Sequence, residues 1–170
     1  MSKHLYVLRH AKSSWDDPSL DDHERPLAAR GLRAVQVLAE HLERSGIHPT
    51  QVLCSTARRT RETLEGVGPD GERLIEPELY GATAVDLIER LHQVPADAES
   101  VMVIGHNPAM QTLVLRLTDS AQDGSELATV QRKFPTGALA TLAFDCDWSE
   151  LGPSCARLVE FVKPKSLAVG

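Results

Sequence analysis

The order of apolar runs along this 170-residue chain predicts an α/β fold, a three-layer sandwich with helices on both faces of a mostly parallel central sheet. Two observations carry the prediction. Short apolar segments, "HLYVL" (4–8), "QVLCS" (51–55) and "SVMVIG" (100–105), alternate with stretches whose apolar residues recur at helical spacing. The third segment is apolar throughout its interior, as expected of a strand covered on both faces. The length suits one domain, residues 1–170, built on a sizeable core.

Each element has its own signal. The first strand ends at Arg9-His10, and the Pro- and Asp-rich stretch "AKSSWDDPSLDDHERPLA" behind it reads as a loop. A helix follows over residues 29–44, where Leu32, Val35, Ala39 and Leu42 share a face and Gly46 supplies the stop. After the second strand, Ser55 or Thr56 is placed to cap a helix over residues 57–65. "RLIEP" (73–77) is a weaker third strand, and Thr83 caps a helix with Val85, Ile88 and Leu91 on one face. Behind the fourth strand, Asn107 is an N-cap and Pro108 suits the first turn. Met110, Leu113, Val114 and Leu117 then follow at i, i+3, i+4 and i+7. Residues 119–135 are polar, with room for one short helix. "GALATLAFD" and "ARLVEFVKP" read as two further strands, paired as a hairpin or as neighbours, and the tail "KSLAVG" as frayed.

Composition narrows the function. A formal net charge of -6 opposes general attraction to nucleic acid or to an anionic membrane, so neither is an expected partner and any cationic cluster must be a local pocket. Cys54, Cys146 and Cys155 follow no metal-ligand spacing and read as free thiols of a reducing cytoplasm. The apolar run near the N-terminus is too short for a secretory segment, and none later reaches the length of a membrane span.

Against that acidic background, "LRHAKSSW" (8–15) gathers an arginine, a histidine and a lysine directly behind a strand. "CSTARR" stands at the end of the second strand and Gly105-His106-Asn107 at the end of the fourth. Functional groups of parallel sheets collect at the carboxyl ends of the strands, so three separate segments deliver two histidines and several arginines to one edge. Guanidinium groups beside helix N-termini make a seat for a tetrahedral dianion, which indicates a phosphoryl ligand. A neutral imidazole in that seat is a competent nucleophile.

These segments resemble the signatures of the histidine phosphatase superfamily, which has the phosphoglycerate-mutase-like fold. "LRHAKSSW", "DDHERPLAARG", "ELYGA" and "GHNP" resemble its SixA group of phosphohistidine phosphatases. The resemblance implies that His10 is the phosphorylated nucleophile and that Arg9 and Arg59 are phosphate ligands. It makes His106 the second pocket histidine, with Ser13 and Lys12 lining the substrate site. Arg58 and Arg61 fall outside the pattern and read as surface charges. Where phosphomonoester-cleaving relatives carry a glutamate general acid, this chain reads Leu79-Tyr80-Gly81, with Glu78 nearby. An alkoxide leaving group needs a proton more than an imidazole does, so the missing acid favours P–N over P–O cleavage. The implied partner is a phosphohistidine-containing protein.

Two other readings stand beside this one: a phosphatase of small phosphorylated metabolites, and a non-catalytic module that binds phosphorylated partners. No metal or other cofactor is expected, because an arginine-rich site repels cations and the histidines lack ligand spacing. His4, His23, His41, His48 and His92 read as surface or structural residues, and "DDPSLDDHE" as a solvated acidic rim.

Overall fold

A computed structural model describes residues 2–167. Six strands form one sheet in the order β3-β2-β4-β1-β5-β6: β1 (Lys3–Arg9), β2 (Gln51–Ser55), β3 (Glu72–Glu76), β4 (Ser100–Gly105), β5 (Leu139–Phe144) and β6 (Arg157–Val162). The pairs β1/β4, β2/β4 and β2/β3 are parallel, while β5 runs antiparallel to both β1 and β6. Five strands therefore point the same way and one is reversed. The sheet is mostly parallel and sandwiched between helices, as the alternation of elements predicts.

The pleat divides the core in two. Leu5 and Val7 face one layer with Leu53, Val101 and Val103, packed beneath α3 (Ala84–Leu91), α4 (Ala109–Leu117) and α5 (Ser125–Arg132). Tyr6 and Leu8 face the other with Val52, Cys54, Met102 and Ile104, beneath α1 (Ala29–Ser45) and α2 (Arg58–Val67). Alternate side chains leaving a strand on opposite faces make both layers possible, and the all-apolar interior of β4 follows from this double cover.

Several local expectations are corrected. Leu32 is 51% exposed; the buried stripe of α1 is Gly31, Val35, Leu38, His41 and Leu42, displaced round the helix from the expected one. Val85 is likewise exposed, and α3 buries Ala84, Leu87, Ile88 and Leu91. Thr83 caps α3 in a reciprocal capping box with Asp86, as anticipated, and Gly46 ends α1 in the left-handed conformation (φ 66°) that glycine tolerates best. Neither Ser55 nor Thr56 caps α2, whose N-cap is Ala57; Ser55 Oγ instead accepts the Ala57 amide in the turn leading to it. The N-cap of α4 is Pro108, after a cis Asn107-Pro108 bond, although Asn107 Oδ1 still accepts the Gln111 amide at 3.2 Å. Part of the tail is ordered too: Pro164–Leu167 forms a helical turn, α6, packed against α1, while residues 168–170 lie outside the described residues.

Candidate active site

Strand register assembles the site. Arg9 pairs with Gly105 across β1/β4, and Cys54 with Ile104 across β2/β4, so Ser55, Gly105 and Arg9 lie in one row across three adjacent strands. One residue beyond that row, at the carboxyl edge, stand His10 and His106. The His10 amide donates to the Gly105 carbonyl at 3.1 Å, and the two rings lie 5.4 Å apart between centroids. Arg59 joins them from the first turn of α2, immediately beyond the same edge.

His10 is buried, and its Nδ1 lies 2.7 Å from the Ala11 carbonyl oxygen. A carbonyl only accepts, so Nδ1 carries the proton and Nε2 keeps the lone pair. Burial pushes the pKa of His10 down to about 3; the Ala11 bond opposes this, and the charges of His106, Arg59 and Arg9 add to it. The ring is therefore neutral near pH 7. The Ala11 amide donates to Thr63 Oγ1 at 3.0 Å, and the Thr63 hydroxyl donates to the Arg59 carbonyl at 2.7 Å, joining the backbone next to His10 to α2.

His106 is held down to about 4, first by burial and then by Arg59. Its Nε2 lies 2.8 Å from Ser55 Oγ, which already accepts the Ala57 amide. With the Ser55 hydroxyl donating to Nε2, the imidazole proton sits on Nδ1, a buried atom with no protein partner among the described residues.

The arginines are only partly satisfied. Arg9 donates to the Phe134 carbonyl at 3.0 Å, and Arg59 donates to the carbonyl and carboxylate of Asp22 at 2.7 and 2.9 Å. Arg9 Nε and Arg59 Nε are buried without partners, like His106 Nδ1. Buried orphan donors are rare in proteins, and these three fall on residues that line one basic cavity. A cavity of about 290 Å³ is lined by Arg9, His10, Arg59 and His106 together with Lys12 and Ser13. All six residues singled out from the sequence thus share one cavity.

Sequence reasoning placed Lys12 and Ser13 at the site but missed the later part of the loop between β1 and α1, which brings Asp22 and Arg25 to the cavity. Its short 3-10 turn, Asp22–Glu24, sets Asp22 at the cavity, where Arg25, Arg59 and the Tyr80 hydroxyl all donate to its carboxylate, the last at 2.5 Å. The Tyr80 bond first, with the arginines adding, holds the Asp22 carboxyl well below its ordinary range. The same bond raises the pKa of the Tyr80 phenol. Arg25 also donates to Ser13 Oγ at 2.8 Å and lies 3.5 Å over the ring of Trp15, whose other face is open to solvent. The acidic rim read from "DDPSLDDHE" is therefore no uniform solvated patch. His23, read as surface or structural, lies edge-on to Tyr80 and bonds Thr56 Oγ1 at 2.9 Å beside the cavity. The one local cue was "DDHER", where Arg25 follows Asp22 at i+3 and pairs with it across the turn, while nothing in the sequence pointed to Tyr80. Glu78 is exposed in a neighbouring 3-10 turn and does not line the cavity; Tyr80, edge-on to His106, stands closer. Arg58 pairs with Glu62, and Arg61 donates to the Thr56 carbonyl, so both point to local structure. Among the described residues, no group of three or more His, Cys, Asp or Glu is arranged to hold a metal.

A basic, partly unsatisfied pocket around a neutral histidine, at the edge of a sheet of this topology, defines a phosphoryl-handling enzyme. Residues 5–80 match the model of the histidine phosphatase superfamily (branch 1). An uncharacterized protein of Mycobacterium tuberculosis is 36% identical over 159 residues, covering 93% of this chain and all of its own length. The chain belongs to the histidine phosphatase superfamily, and its activity class is that of a phosphatase. Within that class it is similar to SixA: phosphohistidine phosphatase SixA of Escherichia coli is 28% identical over 148 residues, 83% of this chain and 85% of the relative. A structure from Nakamurella multipartitia, provisionally assigned as phosphohistidine phosphatase SixA, superposes with a TM-score of 0.87 at 29% identity, over 96% of this chain and 97% of that one. The fold is phosphoglycerate-mutase-like, the sheet also superposing on phosphoglycerate mutase from Plasmodium falciparum.

Proposed function

We propose that the protein hydrolyses phosphohistidine on a protein substrate through a covalent phosphohistidine at His10. The observation that carries the reading is the fixed, neutral His10, with Nδ1 bonded to the Ala11 carbonyl and Nε2 free to attack. Nε2 forms a bond to phosphorus as the P–N bond of the substrate breaks, and the electron pair passes to the departing imidazole, which takes a proton from solvent. Water then attacks the phosphorus on His10, its proton is released to solvent, and inorganic phosphate leaves with His10 regenerated. Arg9, Arg59 and the proton on His106 Nδ1 balance charge on the equatorial oxygens in both transition states. Lys12 and Ser13 line the substrate side.

The choice of P–N over P–O bond rests on the acid that is missing. Asp22 stays ionised and Tyr80 stays protonated but commits its proton to Asp22, while Glu78 lies outside the cavity. A leaving imidazole needs less protonation than an alkoxide, so this pocket suits the former. Similarity to SixA supports the same substrate.

The test is turnover of a phosphohistidine protein against a panel of sugar phosphates and nucleotides, with acid-quench trapping of labelled enzyme. Selectivity for the phosphohistidine protein and a label on His10, abolished in His10→Ala, are the expected results. Preference for a metabolite would overturn the substrate, and turnover without a labelled His10 would overturn the mechanism. Activity is expected to survive a metal chelator.

A further inference from the structure

Beside the catalytic cavity lies a second, larger cleft of about 850 Å³ that shares Lys12 and Thr136 with it. Six cations line this cleft: Lys12, Arg30, Arg33, Lys133, Lys163 and Lys165. They are a third of the chain's 18 Lys and Arg, gathered in a protein of net charge -6. No carboxylate lines the cleft, and none of the six makes an ion pair among the described residues. Outside the cleft, ion pairs with carboxylates hold Arg25, Arg58, Arg59, Arg73 and Arg90. Like charges held together without counter-ions oppose folding, so their clustering points to anions brought by something that binds.

We propose that this cleft docks an acidic polypeptide segment flanking the phosphorylated histidine of the substrate. The proposal rests on the phosphohistidine-protein reading and adds to it the surface that selects the partner. Its floor is aliphatic, from Ala34 and Val37 on α1 and Pro135 and Pro164 opposite, with the long side chains of Lys and Arg along the rim. Arg30, Arg33, Ala34 and Val37 follow at i, i+3, i+4 and i+7, so one face of α1 supplies both charge and apolar contact. Such a cleft suits a segment with apolar and acidic residues, in the groove-docking manner of peptide recognition. No aromatic side chain lines it, so the stacking platform that nucleobases use is absent. Shared walls place the docked segment next to His10, so that binding and chemistry engage one continuous substrate.

The test uses the whole chain and 15-residue peptides carrying one phosphohistidine, with flanks rich in Glu and Leu on either side or with Gln replacing every Glu. Fluorescent, unphosphorylated versions report binding by anisotropy. The wild-type protein is expected to bind and turn over an acidic peptide at least about tenfold better than its neutral counterpart at low ionic strength, the advantage shrinking in high salt. Arg30→Glu, Arg33→Glu and Lys133→Glu combined should remove that advantage, and the matching triple Gln variant should reduce it. Turnover of free phosphohistidine should stay unchanged in both, which also certifies folding. Equal binding of acidic and neutral peptides by wild type, or an advantage that survives the triple reversal, overturns the proposal. So does tripolyphosphate binding that falls with the triple variant when peptide binding does not, since the cleft then serves a small polyanion. Groove-dependent peptide binding without phosphohistidine turnover would leave the docking surface standing and remove the proposed substrate chemistry.

Discussion

Two residues around His10 make separable predictions. Thr63→Val keeps shape but removes the acceptor of the Ala11 amide, leaving a buried N–H without a partner at a cost of about 1–3 kcal/mol. Denaturant unfolding should show that loss, and kcat should fall because the affected amide adjoins His10, the proposed nucleophile. Asp22→Asn keeps the size of a side chain bonded to Arg59 and Tyr80 while removing a negative charge from a cavity that receives a dianion. Inhibition by inorganic phosphate should tighten several-fold at pH 8, measured as a fall in its inhibition constant; an unchanged or weaker inhibition would contradict the role. Arg9, His10 and His106 were legible in the sequence because a strand end followed by a cationic or imidazole residue is a local pattern, whereas Arg59 was told apart from Arg58 and Arg61 by the family resemblance alone. Asp22 and Tyr80 were not legible. Each lies in a loop or turn without periodicity, and their meeting depends on how the segment 10–28 folds back over the sheet edge, which no spacing encodes.

At the scale of elements, α1 is fixed to the site by close approach. A Cβ on Gly31 would stand 2.2 Å from the Lys12 carbonyl oxygen, a backbone atom that has no room to yield without moving the loop that carries Lys12 and Ser13. Gly31→Ala is therefore expected to lower Tm by several degrees and to cut kcat, despite alanine's better helix propensity. A Tm at or above wild type would refute this contact. The strands and helices themselves were legible almost to the residue where apolar period was strong, as in β2 and β4. Helix faces were less so: Leu32 and Val85 are apolar and nearly in phase with the core, yet lie at the edges of their stripes, and only packing against the sheet decides which side of the edge is covered. The short turn α6 was misread because four residues carry too little pattern, and its order comes from docking on α1.

For the molecule as a whole, the two buried imidazoles make stability depend on pH. His10 and His106 have folded pKa values near 3 and 4, below the ordinary value of 6.5. The unfolded chain thus binds more protons in between, and stability present above pH 6.5 is lost as pH falls toward those values. Between pH 8 and pH 5 each ring accounts for up to about 2 kcal/mol of that loss. Asp22, with its depressed pKa, acts in the same direction at lower pH. Unfolding free energies at pH 8 and pH 5 should show the decline, and a His10→Gln/His106→Gln protein should show a smaller one. The order of strands adds a constraint in time. β1, made first, lies between β4 and β5, and Arg9 and Asn107 both lean on the Phe134 carbonyl while the Gly137 amide caps the carbonyls of Arg9 and His10. A chain emerging from the ribosome therefore displays His10 more than a hundred residues before the frame around it can close. Synthesis and competence are separated, and a nascent chain halted after α4 would hold every motif of the site and little of its catalytic power.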